Sequence, residues 1–173
     1  LPRIAEAADV AYIIVGDGEH RAELERLARE TGVADRVIFA GRKPDDEMRN
    51  YYDACDVFIM PNREVRGSVE GLGLVFLEAN YCGKPVIAGR SGGAVDAVED
   101  GKTGFLVDPT DVEDVAEKAV RLLTDREAAQ RMGEYGRERV MREFTWESLH
   151  ERIRRLFISA TPLSRPAESE GGG

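Results

Sequence analysis

Positive charge is in short supply in this chain. Lys and Arg number 24 against 33 Asp and Glu, for a formal net charge of −9. Broad nucleic-acid binding needs a basic surface to neutralise phosphates, so that class of partner is excluded. Cysteine is scarce as well. Cys55 and Cys82 each sit at the edge of an apolar segment and share no metal-ligand spacing; they read as buried, reduced thiols of a cytoplasmic protein. No apolar run reaches the ~20 residues of a membrane-spanning helix, and no charged-then-apolar leader pattern opens the chain. Internal repeats and metal-ligand clusters are missing too. What remains is 173 residues, 42% hydrophobic and 33% charged, enough for one folded domain with a full core.

The apolar residues fall into short runs separated by helical patterns. Val10 to Val15 (VAYIIV), Val37 to Ala40 (VIFA), Val57 to Met60 (VFIM), Pro85 to Ala88 and Phe105 to Val107 each read as a strand, the first two as strands buried on both faces. Between them lie helices. One has Ala22, Leu24, Leu27 and Ala28 on its apolar side and ends at Gly32; a second carries Met48, Tyr51, Tyr52 and Cys55 at helical spacing. Thr110 with Glu113, and Thr124 with Glu127, have the spacing of helix-opening capping boxes. Gly133 and Gly136 weaken the second of those helices by about 1 kcal/mol each, so it should lean on neighbours. A last helix starts at Thr145 with an apolar stripe of Trp146, Leu149, Ile153, Leu156 and Phe157, Trp146 serving as a core anchor. His20 and His150 read as solvated. Strands alternating with helices specify an α/β fold, a Rossmann-like, doubly wound parallel sheet with a carboxyl-terminal helical segment. The domain is expected over residues 1–158, with a disordered tail over 159–173.

In such sheets ligands sit beyond the carboxyl ends of the strands. The loops there are Gly16-Asp17-Gly18, Arg42-Lys43, Asn62 to Gly73, and Ser91-Gly92-Gly93. The third runs into an apolar helix whose amino terminus offers free N–H groups and about half a positive charge. Gly71 and Gly73 would let a phosphate approach the backbone from Gly71 through Leu72 to Leu74. Glu70 and Glu78 would repel a phosphate but suit sugar hydroxyls, for which a carboxylate is a good acceptor. A nucleotide sugar satisfies both demands. The structural alternative keeps Glu70 as a helix-dipole partner and pairs Glu78 with Lys84 or Arg90 in the core.

The run EGLGLVFLE followed by ANYCGKPVIAGRSGGAVDAVEDGKTGFLVDP resembles the carboxyl-terminal, donor-binding domain of the retaining glycosyltransferases of family 4, as do VGDGEHRAELERLARETGVADRVIFAGRKPDDEM, YYDACDVFIMPN and RERVMREFTWESL. The resemblance covers roughly Val10 to Phe157. It implies one half of a GT-B fold using a nucleoside-diphosphate sugar, with no cofactor and no metal. Glu70 would contact hydroxyls of the transferred sugar and stand as the catalytic residue. Glu78 would bind the ribose, and the backbone of Gly71, Leu72, Gly73 and Leu74 would meet the sugar and diphosphate. Arg42, Lys43 and Asp45 would border the base, and Gly16 would lie near the nucleotide. The segment REVRGSVEG resembles versions in GDP-mannose-dependent, lipid-directed members.

Two departures stand against the family pattern. The strand and helix that usually open the domain, with an Arg/Lys pair for the diphosphate, are missing, so the domain is expected to be truncated at its amino terminus. The acceptor-binding amino-terminal domain is missing too. Alone, the chain is expected to bind nucleotide weakly. Asn80 stands where many relatives carry an apolar residue. The other readings are a non-catalytic nucleotide-sugar-binding module and a GT-B sugar-nucleotide epimerase. Within the arginine-rich stretch from Arg131 to Arg155, the pairs Glu138–Arg142 and Glu151–Arg155 should neutralise each other, while peripheral membrane contact of an intact enzyme stays open.

Overall fold

The computed structural model describes residues 1–64 and 73–159. Their strands are β1 (Tyr12–Val15), β2 (Val37–Gly41), β3 (Phe58–Met60), β4 (Val86–Gly89) and β5 (Gly104–Val107). Their helices are α1 (Pro2–Ala7), α2 (Arg21–Glu30), α3 (Asp45–Ala54), α4 (Leu74–Tyr81), α5 (Ala94–Ala97), α6 (Val112–Thr124), α7 (Arg126–Glu143) and α8 (Trp146–Ser159). All pairings between strands are parallel, as α/β alternation dictates. The strands form two groups, β1-β2 and β3-β4-β5, where the sequence pattern implies one sheet.

Side-chain alternation along β4 and β5 builds a core on each face. Val86, Ala88 and Leu106 face the cluster that holds Phe76, Leu77 and Ala79 of α4, Ala94 and Ala97 of α5, and Val140 of α7. Ile87, Phe105 and Val107 face Ile4 of α1, Ala116, Ala119 and Leu122 of α6, and Met132 of α7. Helices therefore cover both faces, the doubly wound arrangement. β1 and β2 do not meet their expectation of burial on both faces: Tyr12 is 36% exposed, Ile13 41% and Ile38 51%. β4 and β5 are buried along their whole lengths, whereas β3 is half-buried. The exposure falls on β1 and β2, the two-stranded group.

Helix ends follow the chemistry of capping with a shift of residue. Asp111, not Thr110, caps α6 by accepting from the N–H groups of Glu113 and Asp114. Asp125, not Thr124, caps α7 by accepting from Ala128 N–H at 2.9 Å. A carboxylate is the stronger partner for the positive helix end. The threonine hydroxyls turn elsewhere, Thr110 to Asp108 Oδ1 and Thr124 to Val120 O, both at 2.7 Å. Thr145 does open α8, accepting from Ser148 N–H at 3.2 Å. Its neighbour Trp146 is 83% exposed rather than a core anchor. An apolar stripe marks a face fit for covering, and α8 packs chiefly against α7. Arg155 bonds Glu151 as expected, but Arg142 takes Glu143 rather than Glu138. Cys55 and Cys82 are free thiols and half-buried, less enclosed than the sequence implies; burial pushes both pKa values up.

The glycines of α7 mark its contact with α4. A Cβ on Gly133 would lie 1.9 Å from Gly83 O, and one on Gly136 would lie 2.7 Å from Asn80 Nδ2. The backbone of α7 thus lies directly on the Gly83 carbonyl at Gly133 and on the Asn80 side chain at Gly136. Beneath Gly136, fully buried Asn80 donates to Lys84 O (2.9 Å) and Thr103 O (3.1 Å), tying the end of α4 to the start of β5. This gives a structural role to an amide in an otherwise apolar stretch.

Gly133→Ala should therefore lower the unfolding free energy by about 2 kcal/mol through overpacking, opposite in sign to the ~1 kcal/mol gain at an ordinary helix position. Asn80→Leu should cost about 1–3 kcal/mol, because Lys84 O loses its donor while Thr103 O keeps the Val86 N–H at 3.4 Å. Urea denaturation midpoints check both, and a Gly133→Ala protein more stable than its parent would sink the close α4–α7 packing.

Candidate donor site

The loops that leave the carboxyl ends of β1, β2, β3 and β4 carry the predicted site residues. Glu70, Gly71 and Leu72 lie outside the described residues. Gly16 follows β1 with φ 132° and donates its N–H to Gly41 O at 2.9 Å, so the exits of β1 and β2 are joined. Arg42 and Asp45 are exposed and Lys43 is half-buried, its ammonium 5.9 Å from the Tyr51 ring. Asp45 lies in the first turn of α3 beside Asp46 and Glu47, where acidic groups suit the helix dipole.

Asn62 joins the exits of β3 and β4. Its Oδ1 accepts from Gly89 N–H at 3.1 Å and its Nδ2 donates to Ser91 O at 3.2 Å. A Cβ on Gly89 would sit 1.9 Å from Asn62 O, so the two segments touch without side chains between them. Sequence reasoning passed over Asn62. Its signal was its place: an amide two residues past a strand on the ligand edge.

Gly73 and α4 form the centre of the edge. Gly73 is the N-cap in left-handed conformation, φ 69° and ψ 44°, and among the described residues no side chain caps the helix. Its conformation favours glycine, and a Cβ would also meet the Phe76 ring at 2.9 Å. In the first turn of α4 the Phe76 N–H turns back to Gly73 O at 3.0 Å, and among the described residues the N–H groups of Leu74 and Val75 stay open to a guest. Leu74 and Glu78, one turn apart, share a face, and both are exposed.

Glu78 is thus not the buried core carboxylate of the structural alternative. Lys84 donates to Asp53 O and Arg90 to Asp100 Oδ2, so neither pairs with it. Its partner is Tyr52, whose hydroxyl donates to Glu78 Oε2 at 2.8 Å. Burial first, and then this hydrogen bond, raise the Tyr52 pKa well above its ordinary 10. The helical spacing of Met48, Tyr51 and Tyr52 identified Tyr52 as core, which it is, but not its hydroxyl's reach to α4. Among the described residues no cluster of three His, Cys, Asp or Glu is placed to hold a metal ion, and no helix is long and apolar enough to cross a membrane.

An edge of glycine turns, an uncapped helix end and an exposed carboxylate fits a phosphate- and hydroxyl-bearing ligand. The family model for glycosyl transferases group 1 matches residues 1–139. The chain belongs to that family. It is 45% identical over 157 residues to the GDP-mannose-dependent alpha-(1-6)-phosphatidylinositol monomannoside mannosyltransferase of Mycobacterium tuberculosis, a match covering 88% of this chain and 40% of the relative. It is 40% identical over 156 residues to the sulfoquinovosyl transferase of Arabidopsis thaliana, covering 88% of this chain and 28% of the relative. Among solved structures, Anabaena Alr3699/HepE in complex with UDP superposes with TM-score 0.78 at 26% identity, over 91% of this chain and 43% of that one. The carboxyl-terminal domain of a Francisella tularensis glycosyl transferase group 1 protein superposes with TM-score 0.71 at 24% identity, over 84% of this chain and 79% of that domain. The fold is the α/β carboxyl-terminal half of the GT-B architecture, and the chain spans about two-fifths of the length of its mannosyltransferase relatives.

Behind the site, a polar group from α7 holds the segment after the Ser91-Gly92-Gly93 loop. The buried Arg139 donates to Ala97 O (2.6 Å) and Asp96 O (3.0 Å), the last carbonyls of α5. Its Nε lies 2.9 Å from Glu99 Oε1, close enough for ion pairing although the N–H is not aimed at that oxygen. Burial works against the charged form of Glu99. Hydrogen bonds from Lys102 and Tyr135 and the charge of Arg139 outweigh it, and the pKa falls below its ordinary 4.5. A depressed carboxylate pKa stabilises the fold above the unfolded value, and that stabilisation is lost as pH falls through the folded value. The gap in melting temperature between the parent and Glu99→Gln should therefore be steady above about pH 5 and shrink toward pH 3. A gap independent of pH would show that the charge of Glu99 contributes nothing.

Proposed function

We propose that this chain is the donor-nucleotide half of a retaining glycosyltransferase that uses a nucleoside-diphosphate sugar, with GDP-mannose as donor and a lipid-linked acceptor. The observation that carries the reading is the uncapped amino terminus of α4 with Glu78 on the same face one turn along. The amides offer positive potential to the diphosphate. The carboxylate offers acceptors to the ribose diol. GDP and mannose are favoured by the 45% identity to a GDP-mannose-dependent mannosyltransferase, whose named acceptor is a phosphatidylinositol monomannoside.

On this reading Glu70 meets the transferred sugar and the backbone of Gly71, Leu72, Gly73 and Leu74 meets the sugar and diphosphate. Arg42, Lys43 and Asp45 border the base, and Gly16 borders the nucleotide. The chemistry asked of these residues is positioning and electrostatic stabilisation. The acceptor oxygen attacks the anomeric carbon on the face from which the diphosphate leaves, and the departing phosphate oxygen takes the acceptor's proton. The amides of α4 stabilise the charge that grows on the leaving group.

The test uses the intact gene product with GDP-mannose, UDP-glucose and a phosphatidylinositol mannoside acceptor. Mannosyl transfer, together with calorimetric binding of GDP at least about tenfold tighter than UDP, is the expected result. Tighter binding of UDP overturns the choice of donor, and binding of neither nucleotide overturns the donor-site reading. Glu78→Ala should weaken GDP binding about tenfold, the scale of hydrogen bonds to a charged group.

A further inference from the structure

We propose that Tyr52 is a positioning residue for the nucleotide: it fixes the Glu78 carboxylate in the orientation that receives the ribose diol. The inference rests on the proposed ribose role of Glu78 and adds a residue on a different helix that acts through it.

Glu78 is exposed on α4, and an exposed glutamate samples several rotamers, whose loss on ligand binding works against affinity. Here the carboxylate is held before any ligand arrives. Tyr52 on α3 donates to its Oε2 at 2.8 Å, and among the described residues no other side chain bonds it. The donor is itself fixed. Tyr52 is only 5% exposed. Its ring packs against Phe58 (centroids 5.6 Å apart), which packs edge-on against fully buried Phe76 of α4 (5.8 Å). A buried ring has little freedom to follow a wandering carboxylate, so the carboxylate follows the ring.

The chemistry of the donor matters as much as its rigidity. A carboxylate has about four acceptor positions, and Tyr52 occupies one. Tyr52 is neutral, and burial and the Glu78 hydrogen bond keep its hydroxyl protonated. It therefore orients Glu78 without cancelling the charge that makes Glu78 a strong acceptor for two vicinal hydroxyls. A lysine or arginine in its place would orient the carboxylate and neutralise it. The nearby cations are held elsewhere, Lys84 on Asp53 O and Arg90 on Asp100.

The experiment measures calorimetric affinities of the intact enzyme for GDP and for 2′,3′-dideoxy-GDP, whose sugar lacks the diol. Tyr52→Phe keeps the ring and its packing. The hydroxyl it removes faced an exposed carboxylate, so no buried group is stranded and the melting temperature should hold. The ratio of the two affinities should fall about fivefold, the scale of one hydrogen bond, mostly through weaker GDP binding. Glu78→Ala should lower the ratio further, and adding Tyr52→Phe to it should change nothing more. A ratio that collapses in Glu78→Ala but is untouched in Tyr52→Phe would overturn the positioning role and leave the ribose reading standing. A ratio unchanged in Glu78→Ala would overturn both. A Tyr52→Phe protein with a lowered melting temperature and an unchanged ratio would reduce Tyr52 to a packing residue.

Discussion

The fold depends on how closely α4 can lie between α7 and the sheet. Two glycines of α7 remove the side chains that would hold the helices apart, leaving the Gly83 carbonyl against Gly133 and the Asn80 side chain against Gly136. Such contact sacrifices helix propensity twice in one helix. The return is a helix whose angle is set at several points. Its end is closed by the N–H of Gly83 on Asn80 O and of Lys84 on Ala79 O. Its inner side is packed through Phe76, Leu77 and Ala79, and it is tied to β5 through the Asn80 amide. A helix held this firmly at its carboxyl end aims its amino end at one place, and that end is where the free amides are.

The ligand edge is assembled by small polar contacts between neighbouring loops. Gly16 to Gly41 joins the exits of β1 and β2, and Asn62 to Gly89 and Ser91 joins those of β3 and β4. Arg139 reaches through the core from α7 to bind the last carbonyls of α5, so the segment after the β4 exit is anchored from behind. The contact of Gly16 is backbone to backbone, whereas those of Asn62 and Arg139 use polar side chains that an apolar residue of similar size could not replace. The edge is thus fixed by hydrogen bonds, while the body of the domain is fixed by packing.

Much of this was legible because periodicity is a strong signal. The strand runs, the helices between them, the glycine end of α2, and the reliance of Gly133 and Gly136 on neighbours all follow from pattern and propensity. What was not legible needed tertiary knowledge. The capping threonines lost to adjacent aspartates, because two good acceptors one residue apart cannot be ranked without geometry. Trp146 has the composition of an anchor, but composition does not say what covers a face. The apolar runs of β1 and β2 imply burial, yet a strand is buried on both faces only if layers lie over both. Asn80 stood out as an amide among apolar residues, and only the carbonyls of Lys84 and Thr103 explain it. For the site, Gly73 was marked by its type and place, whereas the Tyr52–Glu78 bond joins residues on separate helices. Glu70, Gly71 and Leu72 fall outside the described residues.

The aromatic line Tyr52–Phe58–Phe76 runs beneath α4, from the side of Glu78 to the amino end at Gly73. At one end Tyr52 holds Glu78; at the other the Phe76 ring lies where any Cβ on Gly73 would have to go. On the proposed reading these ends meet the ribose and the diphosphate, which carry opposite demands: a negative acceptor for the diol, positive potential for the phosphates. Placing both on one short helix works only if the carboxylate is kept from folding back over the amides, where it would neutralise them and occupy the phosphate position itself. The helix dipole alone would draw it there. A neutral donor on α3 opposes that pull without adding a charge of its own, and β3, through Phe58, keeps the donor at its distance. The core of the domain and the electrostatics of its edge therefore share the same three rings.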